Sequence, residues 1–96
     1  MSRSDIIQTL KTFKEQHAEE YGIQLMGIFG SLARDEATAD SDVDVVVKII
    51  KQDMFNLIGI KQDLEEILHI SVDLISYREK MNPFLKKRID RDAFYV

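Results

Sequence analysis

The sequence predicts an α/β fold of the α+β type, a small mixed β-sheet flanked by helices. Amphipathic helical patterns alternate along the chain with short β-branched segments. No repeat, linker or low-complexity segment interrupts that order. The chain has 96 residues, of which 45% are hydrophobic and 31% charged. These values fit one globular domain spanning residues 1–96 and leave no room for a second core.

The chain begins with a predicted helix followed by a buried strand. Apolar residues recur every three or four positions in residues 4–21, which is typical of an amphipathic helix, and Ser4 or Ser2 can cap its start. Gly22 is placed to end this helix in a left-handed conformation. The short apolar run of residues 23–29 lacks helical spacing and therefore predicts a strand.

A glycine-serine pair separates the first predicted strand from the second. Gly30 and Ser31 break the first strand, residues 32–34 can form a short helical turn, and the polar residues 35–41 predict a loop. Residues 42–49 begin with a strict alternation of aspartate and valine, which is the period of a β-strand.

The second half of the chain adds two helices and two strands. A helix is predicted from Asp53, and its apolar face is formed by Leu57, Ile60, Leu64, Ile67 and Leu68. Residues 70–75 predict a third strand, so this helix would cross back over the sheet. Asn82 is a predicted N-cap followed by Pro83 at the first helical position. The apolar stripe of that helix consists of Phe84, Leu85 and Ile89. Residues 93–96 predict a short final strand.

Composition narrows the classes of function. The chain has no cysteine, which excludes disulfides, thiolate metal sites and thiol nucleophiles and suits a reducing compartment. Neither a signal peptide nor a membrane span is predicted, so we expect a soluble, cytoplasmic protein. The net charge of -4 argues against nucleic-acid binding through a broad basic surface. The basic run of residues 86–88 is more typical of a solvated helix face, although it also suits an acidic partner.

Acidic residues form the most informative pattern. Asp42 and Asp44 lie two apart on a predicted strand, so their side chains project from the same face of the sheet. Two such carboxylates would raise each other's pKa unless a cation lay between them, and hard oxygen ligands in small number suit Mg²⁺. Upstream, Gly30 lets the backbone approach a phosphate, and Ser31 offers a hydroxyl and an amide. These groups together predict a site for Mg²⁺ and a nucleoside triphosphate.

Asp73 is a third candidate, on its own apolar strand. If that strand lies beside the second one, the three acids can converge and serve two metal ions, or Asp73 can act as the general base. Each motif alone has an ordinary structural explanation, since Asp-x-Asp is common at the solvated start of a strand. Their joint order along the chain favours a site.

The same motifs carry a resemblance to a known family. Gly30-Ser31, then ten residues, then Asp42 and Asp44, with Asp73 on a later strand, resembles the DNA polymerase β-like nucleotidyltransferases. The small size and the wording Gly-Ser-Leu-Ala-Arg and Ser-Asp-Val-Asp resemble the minimal nucleotidyltransferase (MNT) domain, the antitoxin of HEPN/MNT pairs. The resemblance implies the nucleotidyltransferase fold, metal ligands at the three acids and phosphate contacts at the glycine-serine pair.

The resemblance further implies a function, which is transfer of AMP from ATP to a tyrosine of a HEPN toxin. Asp35 stands where the family commonly has glycine, and aspartate tolerates a left-handed conformation better than most residues. Arg34 either reaches a phosphate or holds the acidic loop by a salt bridge. Two other functions stay open, a non-catalytic antitoxin that neutralises its partner by covering it and a regulatory sensor of nucleotide.

Overall fold

The fold is that of a computed structural model, which describes residues 2–36, 42–51 and 53–96. Helices and strands alternate along these residues as predicted. In chain order they are α1 (Arg3–Tyr21), β1 (Ile23–Ile28), α2 (Gly30–Ala33), β2 (Val43–Ile49), α3 (Met54–Leu68), β3 (Val72–Ser76), α4 (Pro83–Asp92) and β4 (Phe94–Tyr95). Of the predicted loop at residues 35–41, residues 37–41 lie outside the described part of the chain.

The strands form one mixed sheet in the order β3-β2-β1-β4. β1 pairs antiparallel with both β2 and β4, whereas β2 pairs parallel with β3. A parallel pair needs a crossover connection, and α3 provides it between β2 and β3. The predicted mixed sheet with a helix crossing over it is therefore confirmed.

The two faces of the sheet are buried by different helices. Alternate valines of β2 (Val43, Val45 and Val47) join the main core, where α1 and α3 cover them. Val46 points the other way and packs with Phe29 and Ile89, of which Ile89 lies on α4. Because side chains alternate along a strand, residue 44 lies on the same face as Val46, beneath α4. α4 therefore borders the face that carries the predicted acids.

Helix ends follow the local sequence closely. Ser2 begins α1 with a reciprocal capping box to Asp5, and Gly22 ends it in a left-handed conformation with φ 67°. Asp53 caps α3 by accepting a hydrogen bond from the amide of Phe55 at 2.8 Å. Asn82 caps α4 through the amide of Phe84 at 2.9 Å, with proline at the next position. The predicted starts of these three helices and the predicted end of α1 are confirmed to within one residue.

Three details of the prediction are wrong. α2 begins at Gly30 and not at residue 32, so the strand passes into the helix without an intervening loop. Helical spacing predicts that Phe84 and Ile67 lie on apolar helix faces, but their exposed fractions are 80% and 46%. The spacing predicts which side of each helix is apolar, but the neighbouring helices and strands cover only part of that side.

None of the described helices combines the length and apolar composition that a membrane crossing requires.

Candidate active site

Two of the predicted acids are direct neighbours across the parallel strands. Asp44 of β2 and Asp73 of β3 are paired in register, as are Val43 with Val72 and Val45 with Leu74. Neighbouring strands lie about 4.8 Å apart, and residues paired in register project to the same face. The condition for Asp73 to join the site, that its strand lies beside the Asp-x-Asp strand, is thus met.

The electrostatics of Asp44 reflect this crowding. Burial is the main cause that raises the pKa of the Asp44 carboxyl, and the negative charge of Asp73 raises it further. Smaller contributions that raise this pKa come from Asp42 and from a hydrogen bond with the Asp73 carboxyl. A cation bound at the half-buried Asp44 would therefore offset both the cost of burying its charge and the repulsion from Asp73.

Gly30 makes room for the Asp44 carboxylate. It has a φ of 70°, and a Cβ at this position would overlap Oδ2 of Asp44. The adjacent backbone is fixed by the amide of Phe29, which donates to the carbonyl oxygen of Asp44 at 3.0 Å. Glycine is required here both for its left-handed backbone and for its missing side chain.

Ser31 follows directly, at the second position of α2. Its carbonyl oxygen accepts a hydrogen bond from the amide of Glu36 at 2.7 Å, which folds the start of the next loop back onto the helix. The Ser31 side chain is half-buried, and its hydroxyl has no hydrogen-bond partner among the described residues. Within the described part of the chain, no other group competes with a ligand for this hydroxyl.

Asp42 lies just before β2 and is exposed. It precedes Asp44 by two residues, and its negative charge is one of the causes that raise the pKa of Asp44. The predicted set of Gly30, Ser31, Asp42, Asp44 and Asp73 is thus brought to one end of the β2–β3 pair and to the β1–α2 junction beside it.

Arg34 supports the loop in the structure. Its guanidinium donates to Glu36 at 3.2 Å and to Asp92 at 2.8 Å. The Asp92 side chain is only 7% exposed, and the guanidinium groups of Arg91 and then Arg34 lower its pKa to about 2. Of the two predicted roles for Arg34, the salt bridge is the one observed. Asp35 adopts the left-handed conformation expected of it, with φ 59°.

Arg88 is a site residue that the sequence analysis missed. Its positive charge opposes the effect of Asp73 by lowering the pKa of Asp44. The sequence grouped Arg88 with Lys86 and Lys87 as one basic run. The structure separates them, because Lys86 turns toward the Tyr77 ring at 5.8 Å and Glu79 at 3.7 Å. Only the packing of α4 on the sheet reveals which cation accompanies the acids.

Asp44 and Asp73 are adjacent carboxylates that could hold a metal ion. Among residues 2–36, 42–51 and 53–96, no group of three acidic or histidine side chains forms a ready metal-binding cluster. Mg²⁺ is commonly held by one or two carboxylates, with waters and substrate phosphates as its other ligands. Asp44 and Asp73 are adjacent and could supply these one or two carboxylates. Burial raises the pKa of Asp44, and a bound cation would favour its charged form. The assignment of Mg²⁺ stays a prediction.

Comparisons with known proteins agree with this geometry. The family model described as polymerase beta, nucleotidyltransferase matches residues 6–94. A relative from Methanocaldococcus jannaschii that carries the name protein adenylyltransferase is 35% identical over 94 residues, which is 97% of this chain and 96% of the relative. The protein adenylyltransferase MntA of Thermococcus cleftensis is 30% identical over 97 residues, covering 100% of this chain and 97% of that protein.

Solved structures share the fold. A minimal nucleotidyltransferase superposes with a TM-score of 0.75 at 30% identity, covering 98% of this chain and 95% of that one. A more distant chain from a complex of an MNT antitoxin with a tri-AMPylated HEPN toxin of Shewanella oneidensis has a TM-score of 0.65 at 20% identity, covering 92% and 69% of the two chains. The fold, the paired acids and the family match together show that this chain belongs to the polymerase β nucleotidyltransferase family.

Proposed function

We propose that this chain is a protein adenylyltransferase that moves AMP from ATP to a tyrosine hydroxyl of a HEPN-type toxin and thereby acts as its antitoxin. The observation that carries the proposal is the register pairing of Asp44 with Asp73 beside the Gly30 backbone. Relatives that match nearly the whole chain bear the name protein adenylyltransferase, which supports this choice of acceptor over a small molecule.

The chemistry is a displacement at the α-phosphorus of ATP. The tyrosine oxygen forms a bond to this phosphorus while the bond to the bridging oxygen breaks, and pyrophosphate leaves with the electron pair. The phenolic proton passes to a carboxylate, for which Asp73 is placed beside Asp44. Asp42, Asp44 and Asp73 would hold Mg²⁺, which supplies positive charge to the phosphates when it is bound.

The glycine-serine pair has a separate role at the phosphates. The absence of a side chain at Gly30 leaves its backbone close to the Asp44 carboxylate, where the phosphates of a metal-bound nucleotide would lie. The Ser31 hydroxyl, which has no partner among the described residues, donates a hydrogen bond to a phosphate oxygen. These two residues position the nucleotide and do not take part in proton transfer.

The partner is inferred from a structural relative. In the Shewanella oneidensis complex, the chain with this fold is an MNT antitoxin bound to a HEPN toxin that carries three AMP groups. We extend that partnership to this chain because it has the same fold and because relatives that match nearly all of it bear the name protein adenylyltransferase. We place the reaction in the cytoplasm, where ATP and Mg²⁺ are abundant.

The test combines labelling with mass analysis. The chain is incubated with Mg²⁺, ATP labelled on its α-phosphate and the HEPN-type protein encoded beside it, and the intact mass of both proteins is measured. We expect the partner to gain one or more AMP units with the wild-type chain and none with a variant that carries both Asp42→Asn and Asp44→Asn. The double variant must still form the complex, which size-exclusion chromatography verifies.

Two other outcomes would contradict the proposal. A stable complex in which the wild-type chain adds no AMP, together with neutralisation that survives the double substitution in cells, would show a covering antitoxin. Binding of ATP without transfer to any protein would show a nucleotide sensor.

If AMP is transferred, replacement of each tyrosine of the acceptor by phenylalanine identifies the modified hydroxyl.

A further inference from the structure

A cleft of about 540 Å³ lies along α4 and carries a concentration of positive charge. Its described lining residues are Phe84, Lys87, Arg88 and Arg91. These positions follow the three- and four-residue spacing of one helix face, so their side chains line up along α4. The face is separate from the one that packs on the sheet, where Ile89 is completely buried.

One lining residue of the cleft, Arg88, also acts on the acidic site. Ile89 anchors α4 against Val46, which lies two residues after Asp44 on the same face of β2. Arg88 precedes Ile89 and interacts electrostatically with Asp44. Any ligand that contacts both the acids and the cleft would therefore lie against Arg88.

The cations of the cleft differ in how far the protein already neutralises them. Arg91 is engaged by Asp92, with 2.9 Å between Nε and Oδ1. Among the described residues, Lys87 and Arg88 make no hydrogen bond or ion pair of their own through their side chains. Arg88 thus keeps its planar fork of donors for a ligand, and that fork suits two phosphate oxygens.

We propose that this cleft binds the β- and γ-phosphates of the nucleotide and that Arg88 is their principal contact. This inference rests on the proposed function. A triphosphate approaching Asp42, Asp44 and Asp73 meets three negative charges, which a metal offsets only in part, and Arg88 supplies a fixed positive charge on the side of α4. Because these phosphates leave as pyrophosphate when the bond to the α-phosphorus breaks, the same contact stabilises the leaving group.

An acidic segment of the acceptor protein is the competing occupant. It is disfavoured because Arg88, the cation whose charge acts on Asp44, would then be used for docking, and the phosphates would face three carboxylates without it. The two occupants give different results in binding experiments with the nucleotide alone.

The experiment measures the dissociation constants of ATP, AMP and inorganic tripolyphosphate by isothermal titration calorimetry in Mg²⁺ buffer. Arg88→Gln is compared with Lys86→Gln, which removes the same charge from the same helix but on the side that faces Tyr77. We expect Arg88→Gln to weaken ATP and tripolyphosphate about 10- to 100-fold and AMP by less than about 3-fold. Lys86→Gln should change none of the three by more than about 3-fold, and Arg88→Lys should restore part of the affinity.

Other outcomes overturn the inference. Unchanged ATP and tripolyphosphate affinity in a folded Arg88→Gln protein excludes the phosphate role, and a higher KM for the acceptor in that variant would assign the cleft to the partner protein. A wild-type chain that binds ATP but transfers no AMP would remove the proposed function while the phosphate site stands. A wild-type chain that binds neither ATP nor tripolyphosphate would remove both.

Discussion

The carboxylate of Asp44 occupies the space that a side chain on residue 30 would need. A Cβ at Gly30 would overlap Oδ2 of Asp44, and the backbone there has a φ of 70°. The contact joins the start of α2 to the strand that carries the acids. It makes the glycine of the Gly-Ser motif a steric requirement of the site, in addition to a conformational one.

Replacement of Gly30 by alanine should abolish AMP transfer. The new methyl group must displace the Asp44 carboxylate, and the left-handed backbone adds strain of about 1–2 kcal/mol. Gly22→Ala is the matched control, because Gly22 has a similar φ of 67° but a Cβ there would meet its nearest atoms at 3.7 Å. Both variants should lose stability in urea unfolding, Gly30→Ala by more because its methyl group also displaces Asp44, and only Gly30→Ala should lose transfer. Equal activity in the two variants would refute the steric role of Gly30.

Replacement of Asp44 by asparagine should separate stability from activity. Burial and Asp73 raise the pKa of Asp44, so the folded state holds its proton more tightly than the unfolded chain does. The free energy of unfolding therefore falls as the pH rises above the ordinary value of 3.8 through the raised pKa. At pH 7 without metal, Asp44→Asn should be more stable than the wild type, and this advantage should vanish below the ordinary pKa.

Thermal unfolding in EDTA across pH 3–8 measures this difference. When Mg²⁺ and ATP are added at pH 7, the wild-type melting temperature should rise and that of Asp44→Asn should stay nearly constant, since a ligand stabilises only the state that binds it. The rate of AMP transfer by the variant should fall at least about 100-fold. Replacing a residue that only supports a metal ligand already lowers metal affinity or activity about 10- to 100-fold. A variant that is less stable than the wild type at pH 7 in EDTA would show that the charge of Asp44 does not destabilise the folded state.

Ser31→Ala should weaken nucleotide binding without affecting the fold. Loss of one hydrogen bond to a charged phosphate corresponds to about 1.5–3 kcal/mol, or roughly a 10-fold or greater rise in the dissociation constant of ATP. Ser71→Ala is a suitable control, because Ser71 lies just before β3 and the contact observed for it uses its carbonyl oxygen, which accepts from Val43 at 3.1 Å. Calorimetric titration that gives the same ATP affinity for both variants would exclude the Ser31 hydroxyl as a phosphate contact.

Asp92→Asn should destabilise the protein in a pH-dependent way. The guanidinium groups of Arg91 and Arg34 lower the pKa of Asp92 to about 2, so its contribution to stability is present above the ordinary value of 3.8 and is lost as the pH falls toward 2. The melting temperature of the variant should lie below that of the wild type at pH 7, and the two should converge near pH 2. Glu66→Gln, an exposed substitution on α3, should show no such convergence. A constant difference at every pH would mean that the ion pairs of Asp92 do not stabilise the fold.

Local sequence determined the helices, the strands and the chemistry of the acids. Capping residues such as Ser2 and Asn82 mark helix starts because their side chains satisfy amides that lack partners within the helix. The two-residue period of β2 determines that Asp44 lies on the face opposite to Val43 and Val45. The spacing of Gly30-Ser31 from these acids was enough to indicate the family, because it depends on positions close in sequence.

Tertiary structure decided which distant residues complete the site. The pairing of Asp73 with Asp44 depends on β3 lying parallel to β2 in one register, and the proximity of Arg88 to Asp44 depends on how α4 packs on the sheet. Phe84 belonged to an apolar stripe by spacing but is exposed, since no described neighbour reaches that part of α4. Local periodicity specifies the face of a helix or strand on which a side chain lies. The residues that this side chain contacts depend on how whole helices and strands pack together, which is determined by burial over the entire domain.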